Sequence, residues 1–305
     1  MEGLPFHEGE LEAQSLAGLG SRGAGIREFM PDQHREFFGL LPYLFAAGRD
    51  EAGRPIATVL TGEDGFISSP SPTELAIAAL PALHDPAGPA LSPGDAIGLL
   101  GIDLRTRRRN RANGVIVARG EGGLRVAVSQ SFGNCAKYIQ SRQHQRAPAL
   151  AEPAEAFSGL DEAARALIAR ADTLFIASAA AGGVDISHRG GQPGFVAIEG
   201  DRLTVPDFAG NNYFNTLGNL LLEPAAGLLF VDFAAGDVLQ LQGETEIIWD
   251  GPELAALSGA QRLWRFRSRR GWRRRAALPL RWSAPELAPT TLATGIWRRE
   301  ACAAG

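Results

Sequence analysis

Two stretches of the chain carry residue types that could hold an anion. One is Ser187-His188-Arg189-Gly190-Gly191, a short run with a single guanidinium. The other runs from Pro206-Asp207 through Gly210-Asn211-Asn212-Tyr213-Phe214-Asn215 to Asn219. It reads as a strand passing into a helix, so it offers the free N–H groups of a helix start and four asparagine amides, at 211, 212, 215 and 219. With Arg189 these groups suit a phosphate-bearing ligand. No Ser/His/Asp or Cys/His arrangement points to covalent catalysis, because the five histidines (7, 34, 84, 144, 188) are scattered and only His188 lies near these stretches. Two cysteines, Cys135 and Cys302, cannot build a cysteine-based zinc site. Cys135 reads as a small buried residue. Gly18-Leu19-Gly20-Ser21-Arg22-Gly23 satisfies the GxGxxG pattern, but a helix-like run precedes it where a strand is needed, so it reads as a helix-terminating turn.

The basic residues are skewed in type. Lys137 is the only lysine, and the other 29 basic residues are arginine, in a chain of formal charge −4. An anionic ligand is therefore expected on arginine forks, backbone N–H groups or neutral amides rather than on lysine. Two arginine clusters stand apart: Arg105, Arg107, Arg108, Arg109 and Arg111, and the run from Arg262 to Arg275 punctuated by Trp264 and Trp272. A solvated face is the default for both. The alternatives are contacts to a phosphorylated ligand, docking of an acidic redox partner, or nucleic acid, which the net acidity and the lack of a nucleic-acid motif argue against.

The elements that position these residues repeat. Ala96-Ile97-Gly98-Leu99-Leu100-Gly101-Ile102-Asp103-Leu104 reads against Ala225-Ala226-Gly227-Leu228-Leu229-Phe230-Val231-Asp232-Phe233 at an offset of 129. The same offset pairs Gly53 with Gly182, Thr58 with Ser187, Gly65-Phe66-Ile67 with Gly194-Phe195-Val196, and Gly114 with Gly243. Such coincidence predicts two copies of one domain. Each copy reads as β: a hairpin over 174–187 turning at Gly182-Gly183, a second over 195–206, a buried strand at 228–233, and an alternating strand at 238–248. Helices are predicted at Gln33–Leu41, Leu160–Arg170 and Tyr213–Leu222, and the proline-rich residues 80–94 as a surface loop. The expected fold is mainly β with a few helices, two tandem split β-barrels related by internal duplication as a pseudo-dimer. The expected organisation is an N-terminal extension over 1–35, copy one over 36–145, a linker and helix start over 146–164, copy two over 165–250, and an Arg/Trp-rich C-terminal segment over 251–305. The polar loop and Arg189 occur in copy two only, which predicts one asymmetric site.

Composition near the globular average excludes a disordered, collagen-like or disulfide-stapled chain. No apolar run approaches the roughly 18 residues of a membrane span, and Met1-Glu2-Gly3 begins no signal peptide. A cytoplasmic location is expected.

Several of these residues together resemble a family. The Ser187–Gly190 strand, the Gln192-Pro193-Gly194-Phe195-Val196 hairpin, the Pro206–Asn211 stretch, Asn219 with Glu223-Pro224, and Gln242-Gly243 look like the pyridoxamine 5′-phosphate oxidase-like flavin proteins. Ser129-Gln130-Ser131-Phe132-Gly133-Asn134-Cys135 with Tyr138-Ile139 extends the likeness into copy one. The resemblance covers about residues 36–250 and implies an FMN-binding split β-barrel. It implies cofactor contacts from Ser187, His188, Arg189, Gly190, Asn211, Asn212, Asn215 and Gln240, with Gln130 and Ser131 acting as the partner-barrel pair. The oxidase's phosphate-site lysines and substrate residues are not recognisable here. The function implied is an FMN-dependent oxidoreductase with an unidentified small-molecule substrate and a separate electron donor, NAD(P)H or ferredoxin-type. Left open are a flavin carrier or sensor without turnover, a deazaflavin or haem in place of FMN, and a homodimer.

Overall fold

The structure, a computed structural model, describes residues 5–19, 25–181 and 183–297. Met1–Gly3, positions 20–23 of the glycine-rich pattern, Gly182 of the predicted turn and Cys302 lie outside the described residues.

Two sheets carry the chain. The first is built from β1 (Tyr43–Arg49), β2 (Pro55–Thr61), β3 (Ile67–Ser71), β4 (Glu74–Ile77), β5 (Ala96–Asp103), β6 (Arg108–Gly120) and β7 (Gly123–Gly133), in the order β2-β1-β5-β6-β7-β4-β3. Two short strands follow, β8 (His144–Arg146) and β9 (Glu155–Ser158). The second sheet contains β10 (Thr173–Ala180), β11 (Gly183–Gly190), β12 (Ala197–Glu199), β13 (Arg202–Phe208), β14 (Ala225–Asp232), β15 (Asp237–Ile248) and β16 (Ala260–Arg274). Its order, β11-β10-β14-β15-β16-β13-β12, repeats that of the first sheet strand for strand, and β9 adds to β16. β17 (Leu280–Trp282) pairs with β8. Helices α1 (Glu8–Leu16), α2 (Asp32–Gly39), α3 (Glu162–Arg170), α4 (Asn215–Leu222), α5 (Pro252–Ala255) and α6 (Pro289–Leu292) complete the elements.

The duplicated, mainly β architecture expected from the sequence is what the topology shows, with each sheet an open strand path among the described residues. The offset of 129 aligns β5 with β14 end to end, and fails only at the seventh strand, where β16 begins well beyond residue 250. The Arg/Trp-rich segment is thus a long central strand of the second sheet, held between β15 and β13. Its arginines are mostly cross-braces: Arg265 to Glu246 and Glu253, Arg269 to Glu244, Arg270 to Asp50, and Arg273 to Glu155 and Asp161. The proline-rich 80–94 stretch is also more than a surface loop, because Asp85, Ala87, Ala90 and Leu91 are buried.

The copies meet about a local two-fold axis. Phe45 pairs with Leu100 and Phe175 with Leu229, the leucines 129 and the phenylalanines 130 positions apart, and the two phenyl rings stack at 3.6 Å between centroids. Gly98 and Gly227 show the same reciprocity. A Cβ on Gly98 would lie 2.7 Å from the Val184 carbonyl oxygen, and one on Gly227 would lie 2.7 Å from that of Pro55. Glycine at both positions lets the sheets approach backbone to backbone. A shared core of Tyr43, Phe45, Leu100, Phe175, Ile186 and Leu229 fills the seam, which is how an isologous dimer interface is built.

Candidate functional site

The two-fold relation creates two equivalent positions on the seam, one beside β11 and one beside β2, and their chemistry differs. At the first, β11 presents Ser187, His188, Arg189 and Gly190 towards the end of β6, which carries Arg109 and Arg111. Arg109, Arg111, Lys137, Arg189 and Arg262 line the cleft between them, with Asp207 as its one lining carboxylate. His188, Gly190, Asn211, Asn212, Asn215 and Thr216 also line it.

Local backbone explains how these groups converge. Among the described residues, three of the five non-glycine residues with left-handed φ, Tyr138 (64°), Asn212 (61°) and Phe214 (60°), line the cleft, where such conformations tend to collect at functional positions. Asn211 Oδ1 accepts from Tyr213 N at 3.1 Å, an Asx turn that shapes the loop. Phe214 in the left-handed region delays the predicted helix, so α4 begins at Asn215. The N–H groups of its first turn have no intrahelical acceptor. On the other wall, a Cβ on Gly190 would fall 2.0 Å from the Tyr138 carbonyl oxygen, so only glycine lets the loop after β7 close in. Tyr138 OH then donates to the Ala209 carbonyl at 3.2 Å, joining the walls.

The charges are buried or half-buried and incompletely paired. Arg111 donates to Ser187 Oγ at 2.5 Å and to Asn215 Oδ1 at 3.4 Å, and lies 3.6 Å from Asp185. Ser187 Oγ also meets Thr216 Oγ1 at 2.6 Å. Arg189 and Arg262 share Asp207 at 3.6 and 3.3 Å. Arg109 donates to Nδ1 of His188 at 3.0 Å. Burial, then repulsion from Arg111 and Arg189, pushes the Arg109 guanidinium down to about 9, and burial brings Arg111 down to about 10 despite Asp185. Nε of Arg109, Arg111 and Arg189 and Nε2 of His188 are buried and have no hydrogen-bond partner among the described residues. Mutually repelling cations with spare donors fit an oxyanion, which would satisfy both needs.

His188 sits well below the ordinary histidine range, first through burial and then through Arg109 and Arg189. Since Arg109 only donates, Nδ1 accepts and the neutral ring carries its proton on Nε2. A folded-state pKa below the unfolded value means the unfolded chain binds the extra proton, so stability falls as pH drops below about 6.5. His34 and His144 shift the same way, again mainly through burial. Urea midpoints should therefore fall between pH 7.5 and 5.5, by up to about 1.4 kcal/mol per pH unit per histidine. His188→Asn should flatten that slope by one group's share; an unchanged slope would refute the assignment.

Of the residues the sequence singled out, the cleft gathers His188, Arg189, Gly190, Asn211, Asn212 and Asn215, with Ser187 directly behind them. Gln130 lies further along the seam, beside Asn113, and Ser131 is buried against His34 at 2.8 Å. Gln240 lies at the other two-fold position, donating to the Ala57 carbonyl at 2.8 Å and to Asp85 at 2.9 Å. That position is closed by the chain itself. Asp85 accepts from Thr58 Oγ, Gln240 Nε2 and Ala87 N, and pairs with Arg274 at 2.6 Å.

Sequence reasoning missed the three cations that copy one contributes to the lining. Arg109 and Arg111 read as solvated by default, yet they face copy two across the seam. Strand alternation puts both on one face, whereas Arg105 and Arg107 fall outside β6 in the preceding turn. Lysine was not expected at an anion site, yet Lys137 lines the cleft, and Cys135 is half-buried there. The offset carries the missing signal: Arg111 stands where copy two has Gln240.

Residues 160–278 match the family model of pyridoxamine 5′-phosphate oxidase. Solved structures that resemble parts of the chain include HupZ of Group A Streptococcus (13% identity, 37% of this chain and 91% of that one, TM-score 0.30). HutZ, the heme storage protein from Vibrio cholerae, gives 14% identity over 34% of this chain and 86% of that one, TM-score 0.26. A FAD-binding protein from Mesorhizobium loti gives 12% identity over 40% and 98%, TM-score 0.29. No curated protein sequence matches the chain. Among the described residues no helix is long and apolar enough to cross a membrane, and no group of three or more His, Cys, Asp or Glu residues could hold a metal ion. Residues 160–278, most of the second copy, are thus similar to pyridoxamine 5′-phosphate oxidase.

Proposed function

We propose that the protein is an FMN-dependent oxidoreductase with one flavin per chain. The observation that carries this reading is the cleft's excess of buried and half-buried cations with unsatisfied donors, beside a segment similar to pyridoxamine 5′-phosphate oxidase. Arg189, the amides of Asn211 and Asn212 and the first-turn N–H groups of α4 would hold the phosphate, with Arg111 behind them. Bound flavin would supply hydride and single-electron chemistry. The chain's own part is binding and electrostatics: His188 offers a neutral Nε2–H donor, and the surrounding guanidiniums favour negative charge near them. A separate reductant, NAD(P)H or a ferredoxin-type protein, would load the electrons.

The tautomer of His188 weighs against haem held through that residue. A ligating imidazole donates its other N–H to the protein, whereas here that nitrogen accepts from Arg109. One feature favours a flavin carrier as the second reading. Asp207 is shared by two arginines and Nδ1 of His188 accepts from Arg109, so both acceptors already serve the protein's own cations. Tight FMN binding with neither NAD(P)H oxidation nor reduction by a ferredoxin-type donor would select it.

The visible spectrum of purified protein after incubation with excess FMN tests the main reading; no retained flavin absorbance would refute it. Arg189→Ala should weaken FMN binding at least tenfold by fluorescence titration, about 1.4 kcal/mol. Thr58→Ala, at the other two-fold position, should change it less than threefold; equal effects would undo the claimed asymmetry.

A further inference from the structure

The cleft holds more positive charge than a cofactor phosphate would use, and the surplus lies on one wall. On the copy-two wall Arg189 and Arg262 already share Asp207, and behind it Arg111 has Asp185. On the copy-one wall the situation differs. The side-chain partner of Arg109 is a neutral imidazole, and Lys137 has no carboxylate within 4.0 Å among the described residues. Five lining cations, set against Asp207 in the lining and Asp185 behind it, leave three positive charges. A phosphate dianion leaves one.

The residue type adds a second observation. Arginine fills every basic position but one of 30, and that one lines this cleft. A guanidinium is a rigid planar fork, suited to a group held in one geometry. An ammonium is a compact charge on a flexible stem with three rotatable donors, suited to a group that arrives, reorients and leaves. The close approach of the Tyr138 carbonyl to Gly190 fixes the backbone beside Lys137 while its side chain stays half-buried.

We infer that the substrate handled at this cleft carries an oxyanion group, a carboxylate or a phosphate, and that Lys137 receives it, with Arg109 beside it. This rests on the cofactor reading above, which assigns the flavin phosphate to the copy-two wall. Lys137 is then a specificity-determining contact for an anionic substrate and not part of the cofactor's phosphate site.

Because the chain has a single lysine, the ε-amine can be followed directly. The full-length protein, saturated with FMN as judged by fluorescence titration, is acetylated with an N-hydroxysuccinimide ester. Modification of the Lys137 peptide is then timed by mass spectrometry. FMN alone should leave the rate within twofold of that without FMN. Adding millimolar inorganic phosphate or succinate to the FMN-loaded protein should slow it at least threefold, and the more effective anion names the group. Lys137→Gln should leave FMN affinity within threefold. Protection by FMN alone, following its binding curve, would overturn the inference by placing Lys137 at the cofactor phosphate. So would a rate indifferent to both anions. If FMN fails to bind in the titration, the cofactor reading falls; the two anions are then compared on the free protein, where protection by either still supports an oxyanion site at Lys137 and indifference refutes it.

Discussion

Arg111→Ala should cost about 3 kcal/mol of folding stability and abolish measurable FMN binding. The guanidinium is buried, lies 3.6 Å from Asp185, donates to Ser187 and Asn215, and stacks over the Phe132 ring at 5.3 Å. Breaking a buried pair from one side leaves the other charge without compensation, typically a loss of about 3–5 kcal/mol. The lower end applies because Asp185 keeps amide donors from Asn113 at 2.6 Å and Asn219 at 3.4 Å. Arg111→Met preserves much of the stem and the contact with Phe132, so it separates packing from charge. If its urea-derived loss is below about 1 kcal/mol, the ion pair is not what holds this part of the seam. The ligand effect is read separately, by fluorescence titration of whichever variant stays folded.

The second large effect belongs to the other two-fold position. Asp85→Ala should destabilise the protein by about 3–5 kcal/mol, because it strands a guanidinium in the interior. The Arg274 side chain is only 4% exposed and that of Asp85 is fully buried. Without the carboxylate, Arg274 keeps one side-chain acceptor, Gln240 Oε1 at 3.4 Å. Arg274→Met should cost less, since Asp85 retains Thr58, Gln240 and the Ala87 N–H as donors. A double-mutant cycle with Asp85→Ala and Arg274→Met should show a coupling above about 1.5 kcal/mol by urea denaturation. Additive losses would mean that the pair is merely adjacent.

What the sequence made legible follows from what repeats and what is local. The 129-residue offset survives through six strands because strand length and register are set by apolar runs and turns within each copy. It breaks at β16, whose many arginines obscure an alternation that the partner strands satisfy. The asparagine loop and Arg189 were readable because the Asn211 turn and the Arg189–Asp207 pair form within one copy. Arg109, Arg111 and Lys137 were not, because their role depends on a surface supplied by the other copy. Asp85 was hidden for the opposite reason: nothing local in a proline-rich loop announces a carboxylate whose partners come from β2, β15 and β16.

The two-fold seam has a kinetic and evolutionary meaning beyond its shape. When two identical chains assemble such a seam, its integrity depends on protein concentration, and every substitution appears on both sides of the axis. Joined in one polypeptide, the halves face each other at a fixed effective concentration, so a site that needs both persists at any dilution. Each side can also change alone. Aspartate and arginine can close one position while histidine and arginines open the other, a divergence that a symmetric pair of chains cannot express.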